Sequence, residues 1–209
     1  MISSMRSLGM ALAAVTLSLP LQIGGEAVAG GSVVNMETFG SNDPVLGAST
    51  LMRYDDEVDM TISTTGLEPG HAYSVWWVIF NNPDACSDEC GPDDFPAGVP
   101  GAEKGPEPAD PAAEASVVWA TGLIVSSEGA ADFRARLEIG NPPGVVDFGP
   151  GLVDPMNAEI HLIVRSHGRA LMGQVAEQIG TTKGLCEVTK PDPGSSKCLN
   201  VQVAAHLPF

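Results

Sequence analysis

Positive charge is scarce in this chain: ten Lys and Arg stand against 26 Asp and Glu, for a formal net charge of −16. A surface of that sign repels phosphate backbones and anionic lipid, which argues against a nucleic-acid partner. Aromatic residues make up only 5% of the chain, too few to build the two interfacial girdles of an outer-membrane barrel. Beyond the amino-terminal segment there is no apolar run of the length a membrane-crossing helix needs. Helical periodicity is nearly missing, and "LMGQVAEQI" (Leu171–Ile179) is its one short candidate. The chain also lacks a G-x-S-x-G elbow, an H-E-x-x-H helix and a glycine-rich phosphate loop, so no motif nominates an enzyme class.

What is present begins with an export signal. Arg6 supplies a positive start, "LGMALAAVTLSL" an apolar stretch broken by Pro20, and Ala27-Val28-Ala29 a small-residue cleavage site. No cysteine stands near that site to carry a lipid anchor. Residues 1–29 therefore read as a signal peptide, with a mature single domain over 30–209 that is secreted or periplasmic. Four cysteines in such a chain read as two disulfides, and proximity favours Cys86–Cys90 with Cys186–Cys198 among the pairings open. Zinc fits poorly, because neither pair has the C-x-x-C spacing of a zinc knuckle.

Two-residue alternation dominates the rest. "VDMTIS" turns Val58, Met60 and Ile62 one way. "ADFRARLEI" does the same with Ala131, Phe133, Ala135, Leu137 and Ile139, and "AEIHLIVR" with Ile160, Leu162 and Val164. "LNVQVAAHL" predicts Leu199, Val201, Val203, Ala205 and Leu207 on the buried side. "AYSVWWVIF" is apolar on both faces, as a central strand covered on each side would be. "SVVWATGLIV" is expected to form a hairpin with "ADFRARLEI" through Ser127-Glu128-Gly129. Further strands are expected near Ser32–Met36 and Gly47–Tyr54. The sum is an all-β protein, an antiparallel sandwich of about eight strands. Two long Pro/Gly-rich loops interrupt it, over 81–115 (acidic, with Cys86 and Cys90) and 140–157. The final "VQVAAHLPF" also has the look of a terminal barrel strand, but Pro208 sits within it and the low aromatic content opposes that alternative.

Two places offer chemistry. In the acidic loop, Asp88, Asp93 and Asp94 are candidate calcium ligands, since calcium takes several carboxylate and carbonyl oxygens. The competing reading is a solvated acidic loop closed by a disulfide. In "EIHLIVRSHG", Glu159, His161 and Arg165 share the polar face of one strand and His167 follows, a candidate ligand-contacting strip. Along a continuous strand His161 and His167 would lie ~20 Å apart, which weakens a shared metal. Trp76, Trp77 and Trp119 could form a sugar-stacking platform, but Trp76 and Trp77 face opposite sides of their strand, so core packing is the expected role.

"GLEPGHAY" (Gly66–Tyr73) resembles the tyrosine corner of fibronectin type III and related sandwiches, which implies a tyrosine hydroxyl bonded back to backbone. The phrases "VWWVIFNNP", the cysteines with "CGPDD", and "EIHLIVRSHG" together resemble an uncharacterised family of secreted bacterial proteins. That resemblance implies export and brings no catalytic residues. The function expected is an exported, non-catalytic module contacting a ligand, partner or calcium through its loops. The alternative is a secreted hydrolase or metal-dependent enzyme built around His161 and His167.

Overall fold

The computed structural model describes residues 30–41, 44–86, 89–95, 111–140, 146–182, 184–185 and 198–209. The predicted signal peptide, Asp88 and Cys186 lie outside them. Alternating sequence becomes strand wherever expected: β1 (Gly30–Thr38), β2 (Val45–Arg53), β3 (Glu57–Thr64), β4 (His71–Phe80), β5 (Ala115–Ile124), β6 (Ala131–Glu138), β7 (Val146–Phe148), β8 (Glu159–Arg169) and β9 (Leu199–His206). A single turn of helix, α1 (Val175–Ile179), is what the helical candidate supplies. β7 is the strand not anticipated, three residues inside the 140–157 loop.

All nine belong to one antiparallel sheet in the order β6-β3-β2-β1-β9-β8-β4-β5-β7, curled into a half-barrel. β1 and β9 are paired over a short stretch, at Glu37–Val203 and Thr38–Gln202. The inner face gathers Leu51, Met60, Ile62, Phe133, Trp77 and Ile160, with Val75, Leu162 and Val164 beside them. Each such side chain contributes ~1.5–3 kcal/mol by leaving water. The outer face of β4, β5 and β8 is also covered: Trp76, Val78, Phe80, Val117 and Ile163 pack under Cys90 and Phe95 of the acidic loop. This explains why "AYSVWWVIF" carries apolar residues on both faces.

The tyrosine corner forms as the resemblance implied. The Glu68 amide donates to the Tyr73 hydroxyl at 2.9 Å, Leu67 packs inward, and Gly66 and Gly70 take the positive φ angles (75° and 74°) that turn the chain from β3 into β4.

Two expectations are corrected. β5 and β6 do not form a hairpin: β6 pairs along its length with β3, from Glu57–Glu138 to Thr64–Ala131, while β5 pairs with β4 and β7. The turn closed by Gly129 N–H to Ser126 C=O carries the chain from one side of the sheet to the other. Alternation speaks to the face a strand buries and is silent about its neighbour.

β9 is buried on the opposite face from the one predicted. Gln202, Ala204 and His206 point inward, whereas Leu199, Ala205 and Leu207 are exposed. The interior offers polar partners that outweigh the apolar alternation. Thr64 Oγ1 donates to Gln202 Oε1 at 2.6 Å, the Gln202 amide donates to Thr65 C=O at 2.8 Å, and His206 lies between Ser32 Oγ (2.7 Å) and Ser49 Oγ (2.9 Å). Val203 and Val201 still pack against the outer and inner clusters respectively. Ile139, the last residue of the β6 alternation, is also exposed.

One buried cation fastens the end of the half-barrel. Arg53, fully buried, donates from Nη1 to Pro155 C=O and to Ala158 C=O (2.9 Å), and from Nη2 to Leu207 C=O (3.1 Å). Its guanidinium stands 5.7 Å from the Phe209 ring centroid.

Candidate functional site

The acidic loop answers to local geometry. Cys86 and Cys90 are joined by a disulfide with Cα atoms 5.2 Å apart, between two short turns at Pro83–Ala85 and Pro92–Asp94. Each turn has proline where an amide would be unpaired. Phe95 then stacks on Phe80 at 5.8 Å and meets Phe148 edge-on at 5.4 Å, which seats the loop on the outer cluster. Asp94 is turned inward, where its carboxylate accepts the Gly91 amide at 2.8 Å. Asp93 is exposed, as are Asp84 and Glu89. Asp93 and Asp94, two of the three calcium candidates, thus face different surroundings. Among the described residues no group of three His, Cys, Asp or Glu stands close enough to hold a metal.

On β8, the four predicted residues do share the outer face, and each is engaged separately. His161 Nε2 lies 2.6 Å from Glu159 Oε1, with the imidazole edge-on to Phe80 at 5.4 Å. Arg165 donates from Nε to Thr182 C=O (2.8 Å) and from Nη1 to Asn200 Oδ1 (2.7 Å). Burial pulls its pKa below the usual arginine value, and Asp147 pulls it partly back.

His167 is sealed, only 4% exposed, and burial with nearby Arg165 pushes its pKa down to about 4. Its Nε2 lies 2.7 Å from Ser74 Oγ, which in turn receives the Trp76 indole N–H at 2.7 Å. An indole N–H can only donate, so the serine oxygen accepts it while also bonding His167 Nε2. The other ring nitrogen, Nδ1, faces Cys198 Sγ at 3.3 Å. Cys198 is disulfide-bonded. α1 braces this arrangement, because the Gln178 amide donates to the carbonyls of His167 and Arg169, both at 2.9 Å.

Ser74 and Cys198 are the partners that the sequence reading missed. Ser74 had a signal: it is the lone hydroxyl in an otherwise apolar run, and a buried hydroxyl needs a bonded partner. Cys198 had none, since its approach to His167 depends on β9 lying beside β8. The tryptophans take packing roles: Trp76 and Trp77 are buried on opposite faces, and the half-buried Trp119 donates to Ile179 C=O at 2.9 Å.

No helix among the described residues is long and apolar enough to cross a membrane. No protein-family model matches this chain, nor does any curated protein. Among solved structures, a single mutant of a SOD-like protein from Bacillus subtilis has 14% identity and a TM-score of 0.35, with 85% of this chain and 97% of that chain covered. A double mutant of a SOD-like protein from Bacillus subtilis gives 14%, 0.34, 84% and 96% in the same order. Likeness at that level carries no argument about activity, and the chain stands on its own geometry.

Proposed function

We propose that this is an exported, non-catalytic module that presents a disulfide-pinned acidic loop to a positively charged partner outside the cytoplasm. The observation that carries the reading is the way the loop is held. Phe95 fixes it to Phe80, the Cys86–Cys90 bond closes it, and Asp94 caps it from within, leaving Asp84, Glu89 and Asp93 exposed on that frame. A preorganised charged surface binds with less entropy lost on ordering than a free loop would. On this reading the half-barrel works as a sandwich, with β6-β3-β2-β1 facing β9-β8-β4-β5-β7 across the core. Calcium is the inorganic alternative to such a partner, with Asp88, Asp93 and Asp94 as the carboxylates that the sequence nominates.

Titration of a short oligolysine at low salt tests the reading, with binding expected to weaken as salt rises. Asp84→Asn/Glu89→Gln/Asp93→Asn should reduce affinity about tenfold; equal binding by this variant refutes it. Calcium at millimolar concentration, followed by melting, separates ion binding from partner binding. The hydrolase alternative draws less support, because His161 is engaged with Glu159 and His167 with Ser74, and Ile163 and Arg165 stand between them on β8.

A further inference from the structure

An antiparallel strand bonds to its two neighbours through alternate residues. The Tyr54 amide donates to Glu57 C=O and the Thr65 amide to Leu46 C=O, so the even-numbered residues of β2 bond to β3. The odd-numbered ones, from Gly47 to Arg53, bond to β1, opposite Met36, Val34, Ser32 and Gly30. Gly31, Val33 and Asn35 therefore turn their N–H and C=O groups the other way, towards the side on which β9 is paired only from Glu37 onwards. Among the described residues nothing pairs with that stretch of backbone, and all three residues are exposed. The two outer edges of the sheet are also open, and both are guarded. On β6 the Ile139 amide bonds Asp56 C=O, so the free backbone groups belong to Asp132, Arg134, Arg136 and Glu138, all charged. β7 is three residues long and carries Asp147. The β1 edge has neither protection.

We infer that the Gly31–Asn35 edge is an interface with a second copy of this chain, the two β1 strands pairing antiparallel about a two-fold axis at Val33. The occupant follows from charge. In a chain of net charge −16, residues 30–36, 47–53 and 203–209 contain no Asp or Glu, and their one Arg, Arg53, is buried. These segments lie together: β1 pairs with β2 from Gly30–Arg53 to Met36–Gly47, and a Cβ on Gly30 would come within 2.6 Å of the Phe209 ring. Val33 (71% exposed), Leu207 (65%) and Phe209 (64%) give them an apolar rim. Two acidic copies repel wherever carboxylates face each other, and this rim offers none. The register matches itself, with Val33 opposite Val33, Gly31 opposite Asn35 on both sides of the axis, and no like charges across it. Gly31, without a side chain, enters next to Asn35 of the other copy, where β9 is already close enough to pair at Glu37. β6 fails the same comparison, because pairing centred on Ala135 would set Arg134 against Arg136 and Asp132 against Glu138.

Sedimentation equilibrium of the whole protein reads the interface. A monomer–dimer equilibrium is expected, and it should tighten as salt screens the repulsion between two acidic copies, the opposite of the salt response expected with oligolysine. Val33→Lys sets two ammonium groups across the axis and should weaken the dimer about tenfold or more. Val33→Pro removes an N–H that points away from β2, so it breaks no ladder bond within one copy and should weaken the dimer by about the same factor. Arg134→Ala, on the β6 edge, should leave the dimer as it was. Far-ultraviolet dichroism and melting of the dilute variants report folding. Should Val33→Pro fail to fold, Val33→Lys decides, since its side chain replaces one already in water. A protein that stays monomeric at physiological salt up to its solubility, or a dimer equally tight in the Val33 variants, overturns the inference. A dimer weakened by Arg134→Ala instead places the contact on β6 and overturns it as well.

Discussion

The Ser74 hydroxyl lies 2.7 Å from His167 Nε2, and neither residue reaches solvent to any useful degree. The pair looks like a nucleophile and its base, yet the serine oxygen already accepts an indole proton and the imidazole is held neutral. The same device recurs on the inner face, where His206 stands between Ser32 and Ser49 with its pKa lowered to about 4 by burial, by Arg53 and by His161. β9 is thus braced by one neutral histidine near Cys198 and by another at its far end.

Acid should loosen that brace. In the unfolded chain both imidazoles protonate near pH 6.5, and in the folded protein only near 4. Between those values the unfolded state binds more protons, so stability is complete above pH 6.5 and falls as the pH drops towards 4. The loss should be about 2 kcal/mol for each histidine, measured by urea unfolding between pH 7 and 4.5. Asp154 works in a lower window: its carboxyl is held below 3.8, first by the Asn157 side chain, so its contribution fades only below that value. Stability that stays flat from pH 7 to 4.5 would contradict this account of both sites.

Arg53→Ala should be among the most damaging single changes. It leaves the carbonyls of Pro155, Ala158 and Leu207 without their donor and opens a cavity at the end of the half-barrel. A loss of roughly 3 kcal/mol or more is expected from the melting curve. Arg53→Lys should recover only part of it, because an ammonium cannot spread its donors as a guanidinium does.

Tyr73→Phe removes one hydroxyl and leaves the ring in the core. The Glu68 amide then loses its acceptor at the β3–β4 corner, at a cost of about 1 kcal/mol. Chemical denaturation should show a lower midpoint and an unchanged slope.

Removing the acidic-loop bridge by Cys86→Ser/Cys90→Ser releases a loop closed over a sequence separation of 4. Chain entropy for so short a ring amounts to about 2 kcal/mol. Near-ultraviolet dichroism should change as Phe95 leaves Phe80, while amide exchange in β3 and β6 stays as it was.

Much of this was legible beforehand, and the failures have a common cause. Val58, Met60, Ile62, Phe133, Leu137, Ile160, Leu162 and Val164 are all buried as alternation predicted. The tyrosine corner and the doubly covered β4 also followed from local sequence. β9 was misread because two of its inward residues, Gln202 and His206, are polar and matched by Thr64, Ser32 and Ser49, more than a hundred positions away. The supposed β5–β6 hairpin failed for the same reason, since strand order is set by pairings remote in sequence. The site was half visible: His161 and His167 were singled out, but Ser74, Trp76 and Cys198 converge on His167 only once β4, β8 and β9 lie side by side.

The sheet order has a kinetic meaning. β9, synthesised last of all the strands, takes a place in the middle of the sheet between β1 and β8. Neither flank can be completed until residues 199–206 have left the ribosome, so the strands made before β9 wait in an unfinished sheet. Such long-range closure makes for slow acquisition of structure.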